Sequence, residues 1–367
     1  MKIAIVLNTS WNIYNFRLGL VKALQAEGHE VVAIAPTDEY TSKLVQAGCL
    51  FEAVKMDSRG ANPLKDIALT YELYKIYQRQ RPDVILQYTI KPNIYGTFAA
   101  TILGIPVINN VCGLGTAFLN KNLVSRFAIA MYKLAFRFPK LVFFQNKDDK
   151  EFFLKSKIIK KTNTDVLPGS GIDVNDFVPK NKSFKDAPFT FLLISRLIHD
   201  KGILEYINAI KMLKSRGVQA KFQLLGQLDT KHTRGIAKEL VDQWIEQGVV
   251  EYLGAVEDVK PFINNSDCVV LPSYREGTPR SLLEAASSGK PIVATDVAGC
   301  NNVVDHKVNG FLCESKNAED LASKMEEMLV QDEESIRQMS IASRQIAVNR
   351  FDEKIVIKKY LDSISKV

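Results

Sequence analysis

Two glutamates, Glu276 and Glu284, stand eight residues apart on either side of a Gly-Thr-Pro turn. One carboxylate can accept two hydrogen bonds from neighbouring hydroxyls of a sugar ring, so two of them could hold two rings of one ligand. Apolar runs precede and follow the segment, which places the pair between two buried strands. The alternative interpretation is a helix whose first turns carry acids that interact favourably with its dipole.

The turn between the glutamates predicts the start of a helix near Pro279, because proline is favoured at the first helical position. Free backbone N–H groups at such a start favour anionic or hydroxyl-rich ligands. The residues that would present them are Gly277, Thr278 and Arg280.

A second polar loop, SRLIHDKG, follows the apolar run FTFLLI. Its Arg196 and Lys201 stand beside a helix start, where two cations can neutralise a diphosphate, the arginine as a fork and the lysine as a point charge. His199 lies between them and could touch the same ligand. The alternative is a pair of solvated loop cations.

The sequence offers no evident metal site. Asp-x-Asp, which holds Mg²⁺ or Mn²⁺ in many sugar transferases, occurs nowhere in the chain, and the four histidines lack metal-ligand spacing. We therefore expect no metal and no cofactor, with Arg196, Lys201 and helix dipoles in place of the metal.

Loops after strands of the first half supply candidates for binding a second substrate, the acceptor. Arg17 stands near a helix start, and Lys91 and Asn93 could bind a phosphate or a hydroxyl, whereas glycines permit close approach of the backbone. Simple turn chemistry is the alternative for each loop. The candidate glycines are Gly113 and Gly115.

Composition narrows the class of protein. The formal charge of +7 and the pI of about 8.9 suit a protein that meets anions, while the absence of a basic-aromatic motif argues against nucleic acid. Five cysteines without C-x-x-C spacing indicate a reducing cytosol rather than disulfides or zinc. No run of 18 apolar residues is present, which predicts a protein that is soluble or lies on a membrane surface.

Short apolar runs alternate with amphipathic segments along both halves of the 367 residues, which predicts an α/β fold with two doubly wound domains and parallel sheets. Proline, glycine and polar residues crowd 166–188, where the boundary should fall. We expect domains at 1–170 and 171–350, with a helix at 351–367 that packs back on the first. Ligands of such sheets bind beyond the carboxyl ends of the strands, and the cleft between two domains is the expected site.

Residues 122–140 predict a basic helix with apolar flanks. If the segment is one helix, its four cations fall within about 60° of one another. An anionic membrane leaflet would attract such a surface; the alternative is a core helix with a solvated edge. The cations are Arg126, Lys133, Arg137 and Lys140.

Taken together, these segments resemble family 4 of the retaining glycosyltransferases, which have the GT-B fold of two Rossmann-like domains facing across a cleft. EGTPRSLLE looks like the family's E-x7-E element, SRLIHDKG like its diphosphate loop, and PGSGIDVNDFVP like its interdomain segment. The resemblance implies that Arg196 and Lys201 bind the donor diphosphate. It also implies that Glu284 binds the ribose, and that Glu276 with the following N–H groups holds the donor sugar.

The first half is most similar to a bacterial subgroup that extends glycans on undecaprenyl diphosphate, through IYNFR, DEYTSKL and KPNIYG. That likeness implies a nucleotide-sugar donor, a polyprenyl-diphosphate-linked acceptor and a cytoplasmic enzyme peripheral on the inner face of the plasma membrane. The chain departs from the family at residues 8–10, where a glycine pair is usual, and at Ile90, where several members have histidine. The alternative functions are a non-hydrolysing nucleotide-sugar 2-epimerase of the same fold and a nucleotide-sugar-binding protein without catalysis.

Overall fold

The structure is a computed structural model that describes residues 1–57, 62–114, 123–160, 163–180, 188–230 and 232–367. The chain forms two compact units. The first contains Met1–Ser170 together with Glu353–Val367, and the second contains Gly171–Asp352. The second unit runs two residues past the expected position 350. Within it, the backbone N–H of Ile172 donates to the carbonyl of Phe351 at 2.8 Å.

Parallel strands form the sheet of the first unit. They are β1 (Lys2–Val6), β2 (Glu30–Ala35), β3 (Leu50–Ala53), β4 (Val84–Tyr88), β5 (Val107–Val111), β6 (Leu141–Phe144) and β7 (Thr164–Val166). Across the described residues their order is β3-β2-β1-β4-β5-β6-β7, so the direction of winding reverses between β1 and β4. The helices are α1 (Ser10–Ala26), α2 (Thr41–Gln46), α3 (Pro63–Gln80), α4 (Thr97–Ile102), α5 (Leu123–Ala135) and α6 (Lys147–Lys155).

Helices cover both faces of this sheet, which explains its almost continuous apolar strands. Ile3 and Ile5 of β1 share one core with Leu20 of α1, whereas Ala4 of the same strand packs with Leu73 of α3 on the other face. Successive side chains of a strand point to opposite faces, so a strand covered on both sides needs an apolar residue at every position.

The second unit repeats the plan with strands β8 (Thr190–Ile194), β9 (Lys221–Leu225), β10 (Glu251–Tyr252), β11 (Cys268–Leu271), β12 (Ile292–Thr295) and β13 (Gly310–Cys313). Within the described residues they pair in parallel in the order β10-β9-β8-β11-β12-β13. The helices are α7 (Ile203–Ser215), α8 (Lys238–Glu246), α9 (Lys260–Asn265), α10 (Arg280–Ser287), α11 (Ala318–Leu329) and α12 (Glu333–Phe351). Two parallel sheets confirm the predicted α/β class.

The last helix, α13 (Glu353–Ile364), belongs to the first unit. Its Val356, Tyr360 and Ile364 are buried in the core that contains Ile3 and Ile5. The Tyr360 hydroxyl accepts a hydrogen bond from the Asn110 side chain at 2.8 Å.

Helix α5 is shorter than the predicted basic helix, and the prediction that four cations share one helical face is wrong. The helix ends at Ala135, so Arg137 and Lys140 lie beyond it. Pro139 explains the end, because a proline disfavours helical backbone at the residue before it and supplies no N–H of its own. Across the described residues, no helix combines the length and the apolar character needed to cross a membrane.

Candidate functional site

The loops after β8 and β11 meet through an ion pair between Lys201 and Glu276. Both side chains are mostly buried, at 21% and 12% exposed. The hydroxyl of Ser273 donates to Glu276 Oε1 at 2.7 Å, the same oxygen that Lys201 contacts. Because β8 and β11 are neighbours in the sheet, residues 75 positions apart in the chain share one polar centre.

Two glycines let these loops approach each other. Gly202, directly after Lys201, has φ +70°, and a Cβ there would lie 2.1 Å from the carbonyl oxygen of Pro272. Gly299, in the loop after β12, has φ +89°, and its Cβ would lie 2.6 Å from the carbonyl oxygen of Gly277. Both positions combine left-handed backbone with no room for a side chain, which restricts them to glycine.

Glu284 lies one turn inside α10, beside Arg280 at the start of that helix. The Arg280 Nε donates to Glu284 Oε1 at 3.1 Å, and its Nη1 donates to the carbonyl of Gly171 at 3.0 Å. Burial raises the pKa of Glu284, and the guanidinium of Arg280 opposes that shift. Arg280, which the sequence nominated for ligand binding through its backbone N–H, therefore has a structural partner for its side chain.

The remaining donor-site candidates stand around this centre. Gly277 is buried in the turn before α10, and the Thr278 hydroxyl donates to the Gly277 carbonyl at 3.0 Å. Arg196 is half exposed, at 52% of its side chain. His199 is partly exposed at the start of a 3-10 turn, His199–Lys201, that leads into α7.

Residues 226–230 and 232–236, which the sequence did not indicate as part of the site, contact the diphosphate candidates. Asp229 lies 3.9 Å from Arg196, and Arg234 pairs with Asp200 at 2.5 Å. The Arg234 carbonyl also accepts from the backbone N–H of His199 at 2.9 Å. The signal available in the sequence was position: these residues follow β9, which is the neighbour of β8.

In the first unit, Arg17 is buried at 6% exposure, and it lies about two turns inside α1 rather than near the helix start that the sequence predicted. Its guanidinium lies over the Tyr88 ring at 4.5 Å from the centroid, donates to the Phe16 carbonyl at 2.7 Å, and reaches the Cys112 sulfur at 4.0 Å. Burial raises the pKa of Cys112, while the nearby guanidinium acts in the opposite direction.

The other acceptor candidates are engaged with protein groups. Lys91 pairs with the buried Asp66 at 2.9 Å, and the Tyr95 hydroxyl donates to the same carboxylate at 2.9 Å. Asn93 is fully buried, and its amide donates to the Asn110 carbonyl at 2.8 Å. The Lys91 ammonium is thus paired and the Asn93 amide nitrogen is bonded, while Asn93 Oδ1 is buried without a hydrogen-bond partner. The pairing of Lys91 could not be predicted, because Asp66 lies 25 positions earlier in the chain.

Gly113 has a positive φ of +127° just after β5. Gly115 lies outside the described residues. Over the described part of the chain, no three His, Cys, Asp or Glu side chains are grouped as metal ligands would be.

Comparisons with known proteins identify the family. Residues 174–346 match the glycosyl transferases group 1, and residues 2–146 match the glycosyl transferase 4-like family. The N,N'-diacetylbacillosaminyl-diphospho-undecaprenol alpha-1,3-N-acetylgalactosaminyltransferase of Campylobacter jejuni is 31% identical over 100% of this chain and 99% of its own length. The chain belongs to the group 1 glycosyl transferases. It is a glycosyltransferase. This finding replaces the two alternative functions, a nucleotide-sugar 2-epimerase and a nucleotide-sugar-binding protein without catalysis.

Two further relatives of this glycosyltransferase bear on donor and fold. The UDP-Gal:alpha-D-GlcNAc-diphosphoundecaprenol alpha-1,3-galactosyltransferase of Escherichia coli is 25% identical over 83% of this chain and 80% of its own. The crystal structure of Anabaena Alr3699/HepE in complex with UDP-glucose has a TM-score of 0.82 at 21% identity and covers both chains completely. The two Rossmann-like parallel sheets of this glycosyltransferase are therefore of the GT-B class.

Proposed function

We propose that this glycosyltransferase moves a hexose or N-acetylhexosamine from a UDP-sugar to a glycan on undecaprenyl diphosphate, with retention of anomeric configuration. The Campylobacter jejuni and Escherichia coli relatives are both named for diphospho-undecaprenol acceptors, and the second is named for UDP-galactose. The observation that carries the proposal is the ion pair between Lys201 and Glu276. It places the cation that we assign to the phosphate beside the carboxylate that we assign to the sugar.

The donor would lie at the carboxyl ends of β8 and β11. Lys201 and the half-exposed Arg196 bind the diphosphate, and Glu276 accepts hydrogen bonds from hydroxyls of the transferred sugar. Glu284 accepts from the ribose hydroxyls. The contact between Lys201 and Glu276 supports this assignment. In the donor, the transferred sugar is bonded directly to the diphosphate, so the groups that bind the two must also lie next to each other.

Retention follows most simply from a front-face reaction. The bond between the anomeric carbon and the diphosphate oxygen breaks, the acceptor hydroxyl attacks from the same side, and the departing phosphate oxygen takes the hydroxyl proton. Arg196 and Lys201 stabilise the charge that develops on the leaving diphosphate. This electrostatic effect is worth roughly 3–4 kcal/mol for each side chain that donates a hydrogen bond.

A turnover assay with the purified protein tests this function. UDP-sugars are incubated with and without a synthetic undecaprenyl-diphosphate sugar, and UDP release and the lipid product are quantified. We expect UDP only when acceptor is present, and an axial or equatorial product linkage that matches the donor anomer by NMR. Release of UDP without acceptor, epimerisation of the donor sugar, or inverted product would contradict the proposal.

We further propose that the enzyme contacts an anionic membrane through the surface around α5. Three cations there each precede an exposed apolar residue, and the apolar residues are 45%, 47% and 48% exposed. Within the described residues none of the three cations forms an ion pair, so their charge is available to lipid headgroups at about 1 kcal/mol each. The pairs are Arg126–Phe127, Lys133–Leu134 and Arg137–Phe138.

Co-sedimentation with vesicles tests the membrane surface. The wild type should bind anionic vesicles, less as salt rises, and bind neutral vesicles poorly. Reversal of Arg126, Lys133 and Arg137 to Glu should abolish binding and leave UDP affinity unchanged. A matched control reverses Lys22, Lys211 and Lys358, three exposed cations that form no ion pair among the described residues. Equal binding by the wild type and the α5 variant would contradict the proposal.

The five free thiols support a location on the cytoplasmic side of the membrane, where the cell is reducing.

A further inference from the structure

The buried guanidinium of Arg17 has no acidic partner. Among the described residues no carboxylate lies within ion-pair distance of it, and its Nε, buried, has no hydrogen-bond partner. Residues 115–122, which follow Leu114 in the chain, contain no Asp or Glu either. The Tyr88 ring and the Phe16 carbonyl moderate the charge but do not neutralise it. Burial of an uncompensated charge is costly, so such groups are normally paired.

Arg17 lies where a doubly wound sheet binds ligands. Helix α1 connects β1 to β2, while Tyr88 ends β4 on the opposite side of β1. The winding therefore reverses between β1 and β4, and a crevice opens at the carboxyl ends of strands at such a reversal. Arg17 spans the reversal, because it is on the helix that follows β1 and its guanidinium covers the ring of Tyr88 at the end of β4.

Two more features point to a ligand at the same place. Thr89, the residue after β4, has φ +64°, which is unusual for a β-branched residue, and its buried hydroxyl has no hydrogen-bond partner. Such strained backbone concentrates at binding sites. Gly113, just after Cys112, has φ +127° and carries no side chain. These three features follow three neighbouring parallel strands, whose carboxyl ends lie at the same edge of the sheet. Arg17 is on α1 after β1, Thr89 follows β4, and Gly113 follows β5.

We infer that Arg17 and Thr89 form the binding site for one phosphate of the polyprenyl-diphosphate acceptor, and that Cys112 borders this site. The inference rests on the proposed function and deepens it, because it assigns the acceptor's anion to particular side chains. The guanidinium supplies the fork that matches phosphate oxygens, and the Thr89 hydroxyl supplies a second donor. Lys91 is bonded to Asp66 at 2.9 Å, and we do not assign it to this site.

Cys112 provides a direct readout of occupancy. Of the five cysteines, all within the described residues, it alone is not buried. The full-length protein is treated with iodoacetamide, and alkylation of Cys112 is followed by peptide mass spectrometry, with farnesyl diphosphate as the acceptor probe. At ten times its Kd, the probe should slow alkylation about tenfold by mass action. Inorganic phosphate should protect only at higher concentration, and farnesol and UDP should not protect.

Variants test the residue assignment. Arg17→Gln alters the basal reactivity of Cys112, so the ratio of rates with and without probe is compared within each variant; this ratio should fall to about one. Arg17→Lys keeps the charge but loses the fork, and should need about tenfold more probe for the same protection. UDP-induced thermal stabilisation reports folding, and Arg17→Lys carries the test if Arg17→Gln does not fold.

The outcomes separate this inference from the proposed function. Protection by farnesol or by UDP equal to that by farnesyl diphosphate would overturn the phosphate assignment, as would full protection of Arg17→Gln. Transfer of sugar without protection of Cys112 would overturn this inference alone. Protection without transfer would support the phosphate site and contradict the proposed reaction.

Discussion

At the scale of residues, each of the two glutamates has its own cation. Glu276 pairs with Lys201 from a different loop, whereas Glu284 pairs with Arg280 from its own helix. The first pair can exist only in the folded sheet, while the second is a local contact one helical turn long. This difference suits a carboxylate that holds the reacting sugar and another that holds the spectator ribose.

Kinetics should separate the two roles. Glu276→Ala removes a contact to the reacting sugar and should lower kcat by roughly 10²–10³-fold. Glu284→Ala removes ribose contacts made equally in the ground and transition states, so it should raise the KM for the donor by roughly 10-fold or more with little change in kcat. Asp242→Ala breaks an exposed ion pair with Lys238 and serves as the matched control. An unchanged kcat for Glu276→Ala would contradict its assignment.

The pH dependence of nucleotide binding should report Glu284. Burial raises the pKa of this carboxyl, so it takes up a proton at a higher pH than an ordinary glutamate does. Only the carboxylate accepts two hydrogen bonds from a ribose diol. UDP affinity, measured by titration calorimetry, should therefore be greatest above the raised pKa and fall as pH decreases through it. Glu284→Gln should bind more weakly and lack this dependence; the same pH profile in both proteins would exclude Glu284 as its source.

At the scale of elements, the site depends on how closely three loops pack at the ends of β8, β11 and β12. The backbone N–H of Glu276 donates to the Ala298 carbonyl at 3.1 Å, and Gly299 fits against the next peptide only because it lacks a Cβ. The loop after β12 therefore helps to set the position of Glu276.

Gly299→Ala should displace the Glu276 turn and lower kcat/KM by roughly 10²-fold, since small misplacement of a positioning group is costly. Gly217→Ala is the matched control: it also has positive φ, at +81°, but no atom within 4 Å of the added Cβ. That control should lose about 1 kcal/mol of stability from left-handed backbone and keep its activity. Equal kinetics for both variants would show that the loop after β12 does not position Glu276.

At the scale of the whole molecule, the first unit is completed by the C-terminal end of the chain. The buried Tyr360 of α13 packs at 5.1 Å between ring centroids from Phe143 of β6, and its hydroxyl meets Asn110 of β5. Tyr360→Ala should therefore destabilise the protein by about 3–5 kcal/mol. Tyr71→Ala, at a tyrosine 58% exposed on α3, should cost far less. Denaturant unfolding measures both, and similar losses would contradict the role given to α13.

Metal dependence is also a property of the entire enzyme. With the cations Arg196 and Lys201 assigned to the diphosphate, we predict that turnover survives excess EDTA. Added Mg²⁺ or Mn²⁺ should change the initial rate by less than about twofold, because the cations already supply the charge. Loss of activity in EDTA that Mg²⁺ or Mn²⁺ restores would show that the two side chains do not replace a metal.

By itself, the sequence determined the α/β class, the central strands and the candidates for donor binding. The strand Cys268–Leu271 and positions 3–6 of the strand Lys2–Val6 are apolar throughout because both faces are covered, and that pattern is visible along the chain. The sequence does not predict the edge strands Leu50–Ala53 and Thr164–Val166, because they are only partly buried and lack such an apolar run. Glu276, Arg196 and Lys201 could be nominated because a loop after a buried strand has a known place in this class of sheet.

Only the tertiary structure decided which side chains meet. Lys201 pairs with Glu276, and Lys91 pairs with Asp66. Arg17 contacts an aromatic ring and a thiol but, among the described residues, no carboxylate. These pairings depend on strand order, which brings together residues tens of positions apart and leaves no periodic signal. The end of α5 at Ala135 likewise divided a basic stripe that helical spacing alone had joined. Residue types and local spacing thus indicate what chemistry a segment can perform, whereas contact between segments decides which charges remain for a ligand.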